Sequence, residues 1–185
     1  MSNPKSWHKY VSGVDSGIIS ANSGLSRFAA RYKVAYAFKA VEFDILNSKT
    51  ADAYFIAFKL SLAYSALESL EKCEVLKSKR IRIENPDIAT KFRSQEGYYL
   101  LNFLRLETNN KKLLKNLTEF ITGECDDLRA IAETVRHLTF HGILTANGAG
   151  ISKSVKLQKT LVRLIEEVFA QINLEFSIWV EESLT

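Results

Sequence analysis

From Gly24 onward, apolar residues recur at helical spacing. Leu25, Phe28, Ala29, Tyr32, Tyr36, Phe43 and Leu46 fall on one side of a helix that advances about 100° per residue. Asn47 to Lys49 interrupt that pattern, and Thr50 can cap a second helix with Asp52 in its first turn. The second helix is expected to run to about Lys77 on a stripe of Phe55, Phe58, Leu62, Ala66, Leu70, Cys73 and Leu76. Ser78 to Asn85 reads as a charged connector, and Pro86 fits the first turn of a third helix reaching about Leu106. Thr108 to Asn110 form a break, after which a short helix carries Leu113, Leu114, Leu117 and Phe120 and ends at Gly123. A fifth helix covers about Glu124 to His141, with Gly142 placed to close its C-terminus. The last begins at Ser152 or Ser154 and runs to about Val180 on Leu161, Leu164, Ile165, Val168, Ile172, Phe176 and Trp179. No period-two run of strand length appears.

These elements predict an all-α fold, an antiparallel bundle of about five to six helices. Residues 1–23, rich in serine and glycine, read as a flexible N-terminal arm, and residues 24–185 as a single helical domain. The length of 185 residues suits one domain, and only two prolines and eight glycines leave the chain free to form long helices. Cys73 and Cys125 stand apart with neither CxxC nor zinc-finger spacing, which fits a reducing compartment. The N-terminus lacks the apolar run of a signal peptide and no segment is apolar enough to span a bilayer, so a soluble cytoplasmic protein is expected. The glycine-dense loop from Leu144 to Gly150 matches no phosphate-binding fingerprint and reads as a connector.

Charge changes the picture in one region. Lys72 to Lys115 holds 11 of the 25 basic residues against 5 acidic ones. It includes Lys77, Lys79, Arg80, Arg82, Lys91, Arg93, Lys111, Lys112 and Lys115. This is either a solvated surface or a patch that attracts phosphate and adds salt-dependent affinity for nucleic acid.

Candidate chemistry is concentrated in Glu133-Thr-Val-Arg136-His137-Leu-Thr-Phe140-His141-Gly142; His8 lies apart, in the arm. With Val135 as origin, Leu128, Ile131, Ala132 and Leu138 form the core stripe of this helix. Arg136, Arg129, Phe140, Glu133, His137 and His141 follow in that order, from about 100° to about 240°. A phenylalanine among charged residues suggests that another helix or a second subunit covers this face. Three readings fit. The charges and histidines can be ordinary helix-end residues. Glu133, His137 and His141 can offer stacked metal ligands at i, i+4 and i+8. Or Arg136 holds a phosphate while His141 moves protons.

The third reading meets a family resemblance. Arg136-His137-x-x-x-His141-Gly142 resembles the signature of the HEPN superfamily: arginine, a polar residue, three further residues, then histidine. An earlier helix with the small and acidic run from Ala63 to Glu71, and a last long helix after the motif, resemble its organisation. The resemblance implies a HEPN-like bundle that dimerises and sets two motif copies at one cleft, with Phe140 at the interface. Many catalytic members are metal-independent endoribonucleases; others only bind RNA, nucleotides or protein partners, which is the alternative expectation here.

On the catalytic expectation, Arg136 stabilises the phosphate and His141 acts as general acid/base. His137 orients the phosphate or its partner histidine, and Glu133 supports them. Arg129, Lys111, Lys112 and Lys115 would bind RNA, and neither cofactor nor metal is called for. Stand-alone proteins of this kind are often toxins or defence components, so an antitoxin or other protein partner joins RNA and a second copy of the chain as expected partners. Arg136 and His141 lie about 140° apart on an ideal helix, awkward for one phosphate. Either a dimer axis or a helix that loosens before Gly142 would bring them together.

Overall fold

The computed structural model describes residues 2–41, 44, 47–73 and 80–185. They form α1 (Trp7–Asp15), α2 (Ser23–Ala37), α3 (Ser48–Glu71), α4 (Pro86–Arg93), α5 (Gln95–Glu107), α6 (Lys111–Thr122), α7 (Arg129–Phe140) and α8 (Val155–Leu184). A 3-10 turn, Ile151–Lys153, precedes α8. The fold is an all-α bundle; among the described residues the only sheet-like feature is an isolated antiparallel bridge between Glu84 and Asp127.

Two of the additional helices have local causes. Within the expected arm, Trp7 and Tyr10 of α1 pack on α8, with Trp7 stacked on Phe176 at 5.9 Å and Tyr10 at 5.9 Å from Trp179. Two aromatic anchors make no stripe, so periodicity missed this helix. The expected single helix from Pro86 is divided at Ser94, whose extended backbone ends α4 and whose hydroxyl accepts the Glu96 N–H to cap α5. The fold brings Phe92 back against Gly97, where a Cβ would lie 2.0 Å from the Phe92 carbonyl oxygen. Only glycine permits that approach.

α3 is the centre of the molecule, packing against α2, α7 and α8. Of its expected stripe, Ala66, Leu70 and Cys73 are buried, while Phe55, Phe58 and Leu62 are only half-buried. The core is instead met by Ala53, Ile56, Ala57, Leu60, Ala63, Tyr64 and Leu67. A helix contacted from several sides uses small residues for close approach, and a one-sided stripe does not describe it. Phe43, Leu46, Leu76, Lys77 and Lys79 lie outside the described residues. The α8 stripe is as expected: Leu161, Leu164, Ile165, Val168, Ile172 and Phe176 are buried, with Trp179 half-buried.

The described part of the charged connector is held inside by its alternating side chains. Ile81 and Ile83 are fully buried while Arg80 and Arg82 point outward. Their backbone donors meet two carboxylates: Ile81 N–H donates to Glu71 at 2.6 Å and Ile83 N–H to Asp127 at 3.1 Å. The same carboxylates hold the start of α7, which begins at Arg129 and not near Glu124. Asp127 also accepts the Arg129 N–H at 3.1 Å. The Arg129 guanidinium forms a two-point ion pair with Glu71 and donates to the Ile81 carbonyl at 2.6 Å and the Tyr64 hydroxyl at 3.0 Å. Burial raises the proton affinity of the Tyr64 phenol, so it remains neutral in this network.

This cluster joins the end of α3, residues 81–83 and the start of α7. Removing one partner of a buried pair strands the other's charge and costs about 3–5 kcal/mol. Arg129→Ala is therefore expected to lower the urea-unfolding free energy by that order, and a loss under about 1 kcal/mol would contradict the assignment.

Candidate functional site

α7 is amphipathic as its sequence requires, with Leu128, Ile131, Ala132, Val135 and Leu138 fully buried. Its C-terminus is closed by Gly142 at φ +69°, donating to the Thr139 carbonyl at 3.1 Å, while Ile143 N–H reaches the Leu138 carbonyl at 2.9 Å. These are the paired bonds of a Schellman ending. The His141 N–H still donates to the His137 carbonyl at 3.1 Å. The last turn is intact, so a loosened helix does not bring Arg136 and His141 together.

The expected site residues divide into three groups. Arg129 is a correction: it is 5% exposed and committed to Glu71, Tyr64 and Ile81, so it is not on an RNA-facing surface. The reason is that α3 covers the near edge of the polar face. Arg136 meets α3 as well but stays half-buried, its Nε donating to the Ser65 hydroxyl at 3.1 Å and its Nη2 pairing with Glu68 at 3.1 Å. Glu133 is half-buried, 3.9 Å from the Arg80 guanidinium, and its Oε2 is buried without a hydrogen bond among the described residues.

The second group faces outward. The His137 and His141 rings lie 4.5 Å apart between centroids, tilted by 61°. His137 is half-buried and His141 exposed. Phe140 is 53% exposed, with the Arg136 guanidinium 5.7 Å from its ring centre. Within one chain α3 therefore covers the arginine side of this face and leaves Phe140 and His141 open. Glu133, His137 and His141 do not assemble into a three-residue metal-ligand group among the described residues.

The third group is the lysines. Lys111, Lys112 and Lys115 are exposed on α6, which packs against α7, and Lys115 pairs with Glu119 at 3.7 Å. Elsewhere in the basic stretch, Arg93 is structural. It donates to the Phe120 and Cys125 carbonyls at 2.8 Å each and pairs with Asp126 at 2.7 Å. Arg80 and Arg82 line a cavity of about 290 Å³ that Asn116, Asp127 and Ala130 also border. Glu68 and Ser65, which hold Arg136, had only one signal in the sequence: they fall in the small and acidic run of α3, three residues apart. Nothing in the sequence pairs Arg80 with Glu133.

No family model matches the chain, and comparison with curated proteins and with solved structures gives no match. The chemistry must be read from the residues themselves.

Electrostatics separates the two imidazoles. Burial, the neighbouring His141 and then Arg136 push the proton affinity of His137 below the ordinary histidine value, and Glu133 only partly offsets them. As pH falls, the unfolded chain takes up this proton first. His137 therefore costs nothing well above about pH 6.5 and destabilises the fold increasingly as pH drops below it. In an NMR titration its ring midpoint is expected below about 6.5, moving upward in His141→Ala, which removes one of the lowering charges. A midpoint unmoved by that substitution would contradict the coupling.

Proposed function

We propose that the chain is a metal-independent endoribonuclease of HEPN type that acts as a homodimer through the polar face of α7. The observation that carries this reading is the His137–His141 pair, rings 4.5 Å apart, following directly on an arginine, Arg136, held by a carboxylate and a hydroxyl. Cleavage of RNA by its own 2′-hydroxyl needs a base, an acid and a cation. The base removes the 2′-hydroxyl proton, O2′ attacks phosphorus, and the P–O5′ bond breaks as the acid protonates O5′. Nothing outside the chain and the RNA is consumed. Histidine supplies either proton role near neutrality, and a guanidinium presents a planar fork to the phosphorane oxygens.

In this scheme Arg136 stabilises the phosphate, with Ser65 and Glu68 aiming it. His141, exposed at the helix end, is the general acid/base. His137, biased toward its neutral form, accepts a hydrogen bond from the substrate or orients its neighbour. Glu133 supports the pair from the Arg80 side. An intact last turn favours a second chain as the means of bringing Arg136 and His141 to one phosphate, and exposed Phe140, with Ile143, 36% exposed, three residues further along the chain, offers apolar contact for it. Lys111, Lys112 and Lys115 stand in the first half of α6, which has no acid in its first turn, where the helix dipole disfavours cations. An RNA backbone would give those charges a use. An unrestrained cytoplasmic ribonuclease is harmful to its host, which fits a toxin or defence component controlled by an antitoxin or another protein partner.

Unstructured RNA incubated with the protein in EDTA tests this. Wild type is expected to cleave it and to be a dimer by light scattering at micromolar concentration. His141→Ala should keep its helicity and lose roughly 10²–10⁴-fold in rate. Arg136→Lys should also be damaging, since an ammonium cannot span Ser65, Glu68 and phosphate together. RNA bound but left intact by wild type would replace this reading with a non-catalytic HEPN-like module that binds RNA, a nucleotide or a protein partner.

A further inference from the structure

α5 carries a second arrangement with the chemistry of a ligand site. Tyr98, Asn102 and Arg105 stand at i, i+4 and i+7, one stripe of the helix, and all three line a cavity of about 260 Å³. Phe92, Leu101 and Ile121 supply an apolar floor. Arg93 also borders the cavity, but its guanidinium is committed to Phe120, Cys125 and Asp126.

The rim residues are uncommitted. Tyr98 is 61% exposed, and among the described residues neither the Asn102 amide nor the Arg105 guanidinium makes a hydrogen bond or ion pair. Tyr99, 67% exposed, places a second ring 5.9 Å from Tyr98, edge to face at 76°. Gly97 lets the Phe92 backbone close onto α5, which brings Phe92 to the floor. An apolar slot walled by an exposed aromatic ring suits a flat ring. An amide at its edge offers one donor face and one acceptor, as the edge of a nucleobase requires. A free guanidinium one turn further along supplies the phosphate contact. An apolar peptide side chain would use neither of those polar groups, and the surrounding stretch of chain has a positive excess.

We propose that this cavity is a nucleotide subsite that seats one base of single-stranded RNA. Tyr98 stacks on the base, Asn102 bonds its edge and Arg105 contacts the adjoining phosphate. The proposal rests on the reading of the chain as an RNA-acting protein and places a substrate contact outside α7. The shared chemistry, a base with its phosphate, also belongs to a free mononucleotide, and the test separates the two sources.

Binding of a short, fluorescein-labelled, unstructured RNA is measured by anisotropy in EDTA, using the full chain with His141→Ala so that the probe survives. Adding Tyr98→Ala is expected to weaken binding roughly tenfold or more, the scale of one lost stacking contact. Tyr98→Phe should retain affinity, and Arg105→Gln should reduce the salt dependence by about one phosphate contact. For an RNA subsite, AMP and UMP displace the probe only at far higher concentration than unlabelled RNA. Tyr98-dependent binding of a mononucleotide as tight as that of the RNA would overturn the RNA assignment in favour of a free nucleotide. Equal affinity of Tyr98→Ala and its parent for RNA would overturn the subsite while leaving cleavage by wild type unaffected. Tyr98-dependent binding with no cleavage by wild type would support the subsite and remove the ribonuclease reading.

Discussion

The arrangement of this protein depends on how α7 is pinned to α3 by two arginine–carboxylate contacts. Arg129 and Arg136, seven residues apart on α7, meet Glu71 and Glu68, three residues apart on α3. The first contact is buried and joined by Tyr64, Ile81 and, through its backbone, Asp127. The second lies at the rim and is shared with a serine hydroxyl. Buried charge is costly unless it is paired, so the two-point pairing of Arg129 with Glu71 admits little variation in how α7 sits on α3, although the Arg129 Nε is buried without a hydrogen-bond partner among the described residues. That constraint sets the rotation of α7 and hence what its free face shows.

The consequence is a helix whose two arginines do different work. The inner one closes the core against residues 81–83. The outer one is held at Nε and Nη2, while its remaining nitrogen is not tied to either α3 partner. Beyond it the helix turns Phe140 and His141 outward, leaves His137 half-buried, and stops at Gly142 with the His137, Leu138 and Thr139 carbonyls paired. In the proposed dimer a fixed guanidinium from one chain would meet the two neighbouring imidazoles of the other, which would suit phosphate chemistry. The proposed activity draws on that preorganisation and on no single residue alone.

Much of the fold was legible where one face of a helix meets one neighbour. The α8 stripe, the core side of α7, the Gly123 and Gly142 stops and the all-α class follow from periodicity and turn chemistry. Legibility failed where packing is many-sided or tertiary. α3 buries alanines and serines that no hydrophobic stripe reveals, and α1 is held by two aromatic rings. The break at Ser94 depends on a close approach at Gly97. At the candidate site the motif residues were visible by type and spacing, but their division was not. A helical wheel places Arg129 and Arg136 about 20° apart, so it could not tell which would find its carboxylate in the interior. Glu71 and Glu68, remote in sequence, decide that.

The proposed mechanism makes one demand that no other feature of the molecule can imitate. Attack by the 2′-hydroxyl, with proton transfer by histidine, leaves a 2′,3′-cyclic phosphate on one RNA fragment and a 5′-hydroxyl on the other. Mass spectrometry of the fragments formed by the wild-type chain in EDTA reads both ends directly. The account predicts cyclic phosphate and 5′-hydroxyl termini, lost together in Arg136→Lys and His141→Ala. Fragments ending in 3′-hydroxyl and 5′-phosphate, or termini unchanged in yield by either substitution, would contradict it.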